Sequence, residues 1–420
     1  MRFVLIPAFL SLSVQPNFYQ DVLPVLQQHC QACHRPGEIG PMPLLTYRQT
    51  RPWASAIREQ VLERHMPPWF ADPRSANPQW PLANDPSLTR AEIDTLSKWA
   101  KSGAPAGSPS NAPKPRVWPV GWSIPKLDAV FEMPRAFDVP ASGEVEYQYV
   151  VIPTGFTEDK WVQQVEVRPG ARSVVHHAVI YIREPSSRWL REAKPGIPYS
   201  IPEDEPEHRR LWTTSDLLVV YAPGNPPVRL PQGMAKLIPA RSDLVLQMHY
   251  QPNGHAAHDK TRVGLVFSRK PVQKRVLTLQ MGNDRFIIPP GHPHFPVEVS
   301  GTLPNRAELL SLFPHMHLRG SSFEFDMIPP GGKRQVLLLV DHYSFHWQLS
   351  YQFAKPVPLA AGTRLDWLAY YDNSAGNPDN PDPTEAVRYG EQSRSEMMIG
   401  FFDVAVPRDV DKQRFFVRRR

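Results

Sequence analysis

Residues 173–182 read SVVHHAVIYI, a short run of β-branched and aromatic residues with two histidines set into it. Runs of similar texture recur between turn signals from residue 126 onward. They are VEYQYVVIP at 145–153, KWVQQVEVRP at 160–169, DLVLQMHYQP at 243–252, RVLTLQM at 275–281, AELLSLFP at 307–314, RQVLLLV at 334–340 and RLDWLAYYD at 364–372. Short strands of this composition and spacing predict antiparallel β-sandwich modules. The length suits two in tandem, over 126–270 and 271–415, with a polar seam at 268–275 (SRKPVQKR). Proline agrees: 49 of 420 residues is roughly twice the ~5% of average usage. Proline avoids helix interiors and central strands, so the larger part of the chain leans towards all-β.

The histidines within these runs point to metal chemistry. PHMHLRG at 314–320 places His315 and His317 two apart, and residues i and i+2 of a strand face one side. Two imidazoles aimed at one spot suit a metal; an ordinary pair at a strand end is the plain alternative. His176 and His177 are adjacent, so on a regular strand they point to opposite faces. They share a metal only at a strand end or an irregularity. His249 lies in LQMHY at 246–250, and Met397 and Met398 lie in SEMMIGFF at 395–402. The candidate ligands therefore divide at the seam, with His176, His177 and His249 before it and His315, His317 and one methionine after it. His255, His258, His292, His294, His342 and His346 read as ordinary loop or packing residues. The stretch YDNSAGNPDNPDP at 371–383 lacks the acidic spacing and terminal glutamate of an EF-hand. It reads as a turn-rich surface loop beside the methionine motif.

The first hundred residues differ in kind. Phe18, Val22, Val25 and Leu26 mark one helical face over 17–29, which runs into Cys30-Gln31-Ala32-Cys33-His34. C-x-x-C-H is the attachment sequence of c-type haem: Cys30 and Cys33 would form the thioethers and His34 would ligate the iron. A redox-active CxxC expects a βαβ context, and none is visible. These are the only cysteines, so the rest of the chain holds no disulfide. A second axial ligand is expected downstream. Met66 is the candidate, after a helix over 51–64 with Trp53, Ile57 and Val61 on its buried face. His/Met ligation is common in electron-transfer cytochromes; Met42 (in GPMPL) and His65 are the alternatives. A last helix begins at Thr89 with a capping box to Glu92, buries Ile93, Leu96, Trp99 and Ala100, and ends at Gly103. Residues 16–105 thus resemble a small class-I-like cytochrome c domain. Residues 106–125, rich in Pro, Ser, Gly and Ala, suit an extended linker.

Residues 1–15, with Met1-Arg2 ahead of an apolar run over 3–12, read as a signal peptide. The run is too short to span a membrane, and no other stretch is apolar enough. With the haem motif, this predicts a periplasmic or secreted protein without an integral membrane segment. The net charge of +6 comes with no nucleic-acid recognition motif.

In the order HH, QxHY, HxH and EM, residues 126–415 resemble the copper type II, ascorbate-dependent monooxygenases. That is the family of dopamine β-monooxygenase and peptidylglycine α-hydroxylating monooxygenase. The resemblance implies two jelly-roll-like domains, each holding one copper. By motif, His176, His177 and His249 would bind the electron-passing copper. His315, His317 and Met397 would bind the catalytic copper, where O2 and substrate meet; Met397 is chosen because it directly follows Glu396. Gln247, two before His249, would orient that ligand. The donor types agree independently, since imidazole suits copper, zinc and iron while thioether selects soft Cu(I).

There are departures from the family. The β region has no cysteine, whereas the animal enzymes are disulfide-rich. Phe313 stands where peptidylglycine enzymes carry an arginine for the substrate carboxylate, so a peptide C-terminus is not the expected substrate. Phe401 replaces a tyrosine. The expectation is an exported haem–copper monooxygenase that hydroxylates a small organic substrate with O2. Its electrons would come from the c-type haem, a donor protein or ascorbate. The alternative is a copper-binding electron-transfer protein without monooxygenase turnover; a zinc hydrolase would leave Met397 without a role.

Overall fold

The computed structural model describes residues 15–74, 77–119, 121–201, 216–412 and 418–419. The expected signal peptide, apart from Gln15, lies outside the described residues. The chain divides into two compact units, Met1–Trp69 with Pro86–Trp118 and Phe70–Asp85 with Pro119–Arg420.

The smaller unit is helical. A helical stretch over 18–30 is followed by Tyr47–Thr50, Arg51–Trp53, Ala54–Leu62 and Arg90–Lys101. Phe18, Val22, Leu26, Ile57, Val61, Ile93, Leu96 and Trp99 share one core, so the apolar faces read from the spacing are the buried ones. The capping box also forms. The Glu92 carboxylate accepts the Thr89 N–H at 2.7 Å, and the Thr89 hydroxyl accepts the Glu92 N–H at 3.3 Å. Gly103 ends the helix at φ +86°, a conformation open to glycine at no steric cost. Trp53 departs from its expected place and is 43% exposed. Residues Arg51–Trp53 wind as a tighter 3₁₀ turn, which changes the side-chain rotation per residue. Residues just past 105 do not run free: Tyr19 N–H donates to the Ala106 carbonyl at 3.1 Å, and Arg116 donates to the Gln27 carbonyl at 2.8 Å.

The larger unit is built of β-sheets. In its first half, Ala129–Glu132, Arg262–Phe267, Lys160–Arg168 and Met234–Ile238 are neighbours in that order. A second sheet runs Gln148–Pro153, Asp243–Tyr250, Val175–Arg183, Asp216–Tyr221. Val165, Val263 and Leu265 of the first sheet pack with Val150, Ile180 and Leu246 of the second in one core. The second half repeats the plan. Lys274–Asn283, Met398–Pro407, Ala307–His315 and Tyr351–Leu359 form one layer. Gln335–Val340, Gly320–Ile328, Arg364–Tyr371, Phe295–Thr302 and Arg418–Arg419 form the other. Trp367 and Phe402 meet between these layers with ring centroids 5.5 Å apart.

At the expected seam the strands of the two halves are joined rather than separate. Lys274 and Arg275 pair in parallel with Met234 and Ala235, so one nine-stranded sheet runs through both. Segment 70–85, read from sequence with the helical region, also belongs to this unit: Ala71 bridges Val340 and Leu82 bridges Phe353. Among the described residues, no helix is long and apolar enough to cross a membrane.

Val175–Arg183 is buried at every position. Ala178, Ile180 and Ile182 face the sandwich core. Val179 and Tyr181 face Phe313, Ile399 and Phe401 of the second half. A strand covered on both sides reads as a continuous apolar run, which explains why SVVHHAVIYI shows little alternation. Histidines set into such a strand lie inside the unit whichever way they point.

At Gly400 the two layers of the second half approach closely. A Cβ there would meet Phe325 Cε1 at 2.7 Å and Trp367 Nε1 at 2.9 Å. Gly400→Ala should therefore lower stability by about 1–3 kcal/mol, read as an earlier midpoint in urea. An unchanged midpoint would mean that the layers spread freely at this point.

Candidate metal centre

The antiparallel pairing of Val175–Arg183 with Asp243–Tyr250 slips once. Val175 pairs with Tyr250 but His177 pairs with His249, so His176 is the extra residue of a β-bulge. This is the irregularity that two adjacent histidines need. Their Nδ1 atoms come within 3.2 Å of each other, close to the ~3.3 Å that separates two nitrogens each ~2.05 Å from a tetrahedral metal. With His249 they form a buried triad whose donor nitrogens all lie within 4.8 Å of one another. The Phe345 carbonyl can only accept, so His176 donates Nε2–H to it at 3.0 Å and keeps its Nδ1 lone pair. His249 Nδ1 is buried without a hydrogen bond among the described residues, an unusual condition for a polar atom.

The second set is shaped by a different device. His315 ends the Ala307–His315 strand opposite Ile399. Beyond it, the Tyr343 hydroxyl accepts the Met316 N–H at 3.0 Å and donates to the Met316 carbonyl at 2.7 Å. The His315 and His317 rings sit 5.3 Å apart and nearly perpendicular. His315 Nδ1 bonds Gln348 Oε1 at 2.7 Å, and His317 Nδ1 donates to the Ser395 carbonyl at 3.1 Å. His317 Nε2 is buried without a hydrogen bond among the described residues. Met397 packs with Phe313, Ile399 and Phe401 and shares a cavity wall with His315.

Glu396 holds this set in register. Its fully buried carboxylate accepts backbone N–H groups of His317 at 2.9 Å, Arg319 at 2.6 Å and Met397 at 3.3 Å. Burial pushes its carboxyl up to about 8, opposed by these donors and by Arg319. Arg319, 1% exposed, donates to Asn373 and to the Arg394 carbonyl. Asn373 in turn donates to the carbonyls of Pro289 and Glu385. The loop at 371–383 is thus turn-rich as read, yet it sends Asn373 fully inside. In sequence Glu396 served only to choose between two methionines; the clamp depends on backbone positions no motif displays.

The two sets meet. His177 and His315 have ring centroids 5.5 Å apart, and Phe345 stacks on His176 at 4.1 Å. Burial pulls His176 down to about 3 and His315 to about 4. It holds His177, His249 and His317 well below their ordinary value, with neighbouring histidines adding to the effect. All five are therefore neutral imidazoles at pH 7, the form that binds metal. Gln247 does not orient His249 as expected. Its amide donates to the Tyr149 hydroxyl at 2.7 Å and accepts from Tyr181 at 3.5 Å. The ring packed on His249, at 4.7 Å, is Tyr147. Beside His177, His315 and Met397 lies a small cavity, partly open to solvent. Phe313 and Phe401 line it and meet edge to face at 5.8 Å.

In the smaller unit, Cys30 and Cys33 are not joined by a disulfide. His34 donates Nδ1–H to the Met42 carbonyl at 3.2 Å, which leaves Nε2 available. Gly40 lies so close that a Cβ would meet the Cys33 carbonyl and His34 Nδ1 at 2.8 Å. Burial pushes the Cys30 thiol up to about 12, with the neighbouring Cys33 adding to it; a redox-active CxxC has a lowered thiol instead. Met42 packs on the same core as Cys30. Met66 follows the Ala54–Leu62 helix and its N–H donates to the Gln60 carbonyl at 3.2 Å. His65 is largely exposed beside Glu63.

The chain matches no family model and no curated protein. Among solved structures it is similar to the subviral particle of infectious bursal disease virus VP2, at 10% identity over 71% of this chain and 77% of that one, with a TM-score of 0.19. It is similar to PNGF-II at 9% identity over 66% of this chain and 60% of that one, with a TM-score of 0.23. Likenesses this slight carry no argument about fold or function.

Glu396→Ala would strand buried N–H donors, and each such group costs about 1–3 kcal/mol. It should lower the urea midpoint clearly, while Glu396→Gln, which keeps an acceptor oxygen, should lower it less. Small and equal losses in both would show that the clamp holds nothing.

Proposed function

We propose that this chain is an exported haem–copper oxidoreductase whose β region hydroxylates a small organic substrate with O2. In this reading the helical unit is a c-type cytochrome domain and the two β halves are jelly-roll-like copper domains. The observation that carries the reading is the bulge at His176. It gathers three buried, neutral imidazoles against a second set of His315, His317 and Met397.

The donors favour copper. Three imidazoles would serve zinc as well, but a thioether suits a metal that cycles through Cu(I). Bound copper would supply one-electron transfer and O2 activation. The chain's own residues do the remaining work. The carbonyls of Phe345 and Ser395 and the amide of Gln348 fix which ring nitrogens carry protons. Glu396 holds the backbone of His317 and Met397. Phe313, Ile399 and Phe401 give the cavity an apolar wall that limits water beside the reacting C–H bond. Among the described residues lining it there is a carboxylate, Glu391, and no lysine or arginine. That favours an apolar or cationic substrate over a carboxylate such as a peptide C-terminus.

Cys30 and Cys33 fit thioether attachment, with His34 Nε2 as an axial ligand. Met66 would be the second ligand, with Met42 and His65 as the alternatives. A haem held by these residues would supply one-electron transfer to the protein, beside or in place of ascorbate or a donor protein.

Protein matured in an exporting, haem-attaching host should contain two coppers and one haem, and His317→Ala should lose one copper. Zinc in both sites, or no metal beyond the haem iron, would overturn the reading. In rapid mixing with O2, reduced haem should reoxidise in the copper-loaded protein; haem that stays reduced would sink the relay. Oxygen uptake that requires an added substrate separates a monooxygenase from an electron-transfer protein without turnover.

A further inference from the structure

We infer that Gln348 is a positioning residue that joins the two ligand sets and fixes the ring tautomer of His315. The inference extends the reading above, in which His315 is a metal ligand. Gln348 is 1% exposed. Its Oε1 lies 2.7 Å from His315 Nδ1, and its Nε2 lies 3.3 Å from the Phe345 carbonyl. That same carbonyl accepts Nε2–H of His176 at 3.0 Å. A single side chain and a single carbonyl therefore link a histidine of one set to a histidine of the other.

The polarity of this link is determined by its middle member. A carbonyl oxygen only accepts, so the Gln348 NH2 must face Phe345 and its oxygen must face His315. An amide oxygen also only accepts, so His315 must carry its proton on Nδ1 and present a lone pair at Nε2. His176 is fixed the opposite way, with its proton on Nε2 and its lone pair on Nδ1. The segment is anchored from the first half of the β unit. Asn225 donates to the Gln348 carbonyl at 2.9 Å and accepts the Ser350 N–H at 2.7 Å. Partners of this kind orient ligating histidines and raise their basicity.

The test uses full-length, metal-free protein with 15N-labelled histidine, the His315 signals being assigned by their loss in His315→Ala. Wild type should show His315 protonated on Nδ1. Gln348→Leu should lose that tautomer, and Gln348→Glu, which keeps an acceptor oxygen, should retain it. In chelator competition with copper, Gln348→Leu should weaken one of the two ions by about 10–100-fold and leave the other unchanged, and Gln348→Glu should recover the lost affinity. A wild-type His315 protonated on Nε2, or an Nδ1–H that survives in Gln348→Leu, overturns the inference. Failure of the functional reading looks different: the expected tautomers would appear and no copper would bind.

Discussion

The bulge at His176 works only because the strand that carries it is covered on both faces. One face of Val175–Arg183 closes the first sandwich core, and the other packs on Phe313, Ile399 and Phe401 of the second half. Histidines placed there lose their hydration, so each must find a partner for its N–H and a use for its lone pair. The extra residue turns His176 and His177 towards one space, and the cross-strand register brings His249 to the same place. The second-half set then lies in ring contact with the first. Desolvation makes all five imidazoles neutral, and the accepting carbonyls and amide decide which nitrogen of His176, His315 and His317 is free.

This arrangement needs the two β halves to be held firmly without disulfides. The parallel pairing of Lys274 and Arg275 with Met234 and Ala235 merges their sheets. Beside it Lys236, 3% exposed, donates to the Leu218 carbonyl and the Thr278 hydroxyl and faces Asp403 at 3.3 Å. Asp403 comes from the second half. A buried ion pair is weak evidence for net stability, because desolvation offsets much of its attraction. Breaking one partner is costly, however, and that favours a single way of seating the halves.

Much of this was legible in the sequence because it depends on near neighbours. The Thr89–Glu92 capping box, the faces of Ile57 and Val61, the β texture and the H-x-H pair are all local patterns. Even at His176 and His177, two-residue periodicity named an irregularity as one of two ways to share a metal, the other being a strand end. What was not legible depends on contacts distant along the chain. Gln348 sits far from either histidine motif, and nothing around it marks a ligand partner. The Glu396 clamp needs backbone N–H groups from 317 and 319. Gln247 sits at the expected spacing from His249, but on its face the nearest polar groups are Tyr149 and Tyr181. Pairing across 234–238 and 274–283 merged what composition suggested were separate modules.

On the proposed reading, two neighbouring sets of side chains each hold a copper. Anomalous diffraction at the copper edge, from crystals of the copper-loaded holoprotein, tests it most directly. Two peaks are expected, one among His176, His177 and His249 and one among His315, His317 and Met397. A map with no copper peak at these residues, or with only one ion among the five histidines, would contradict it.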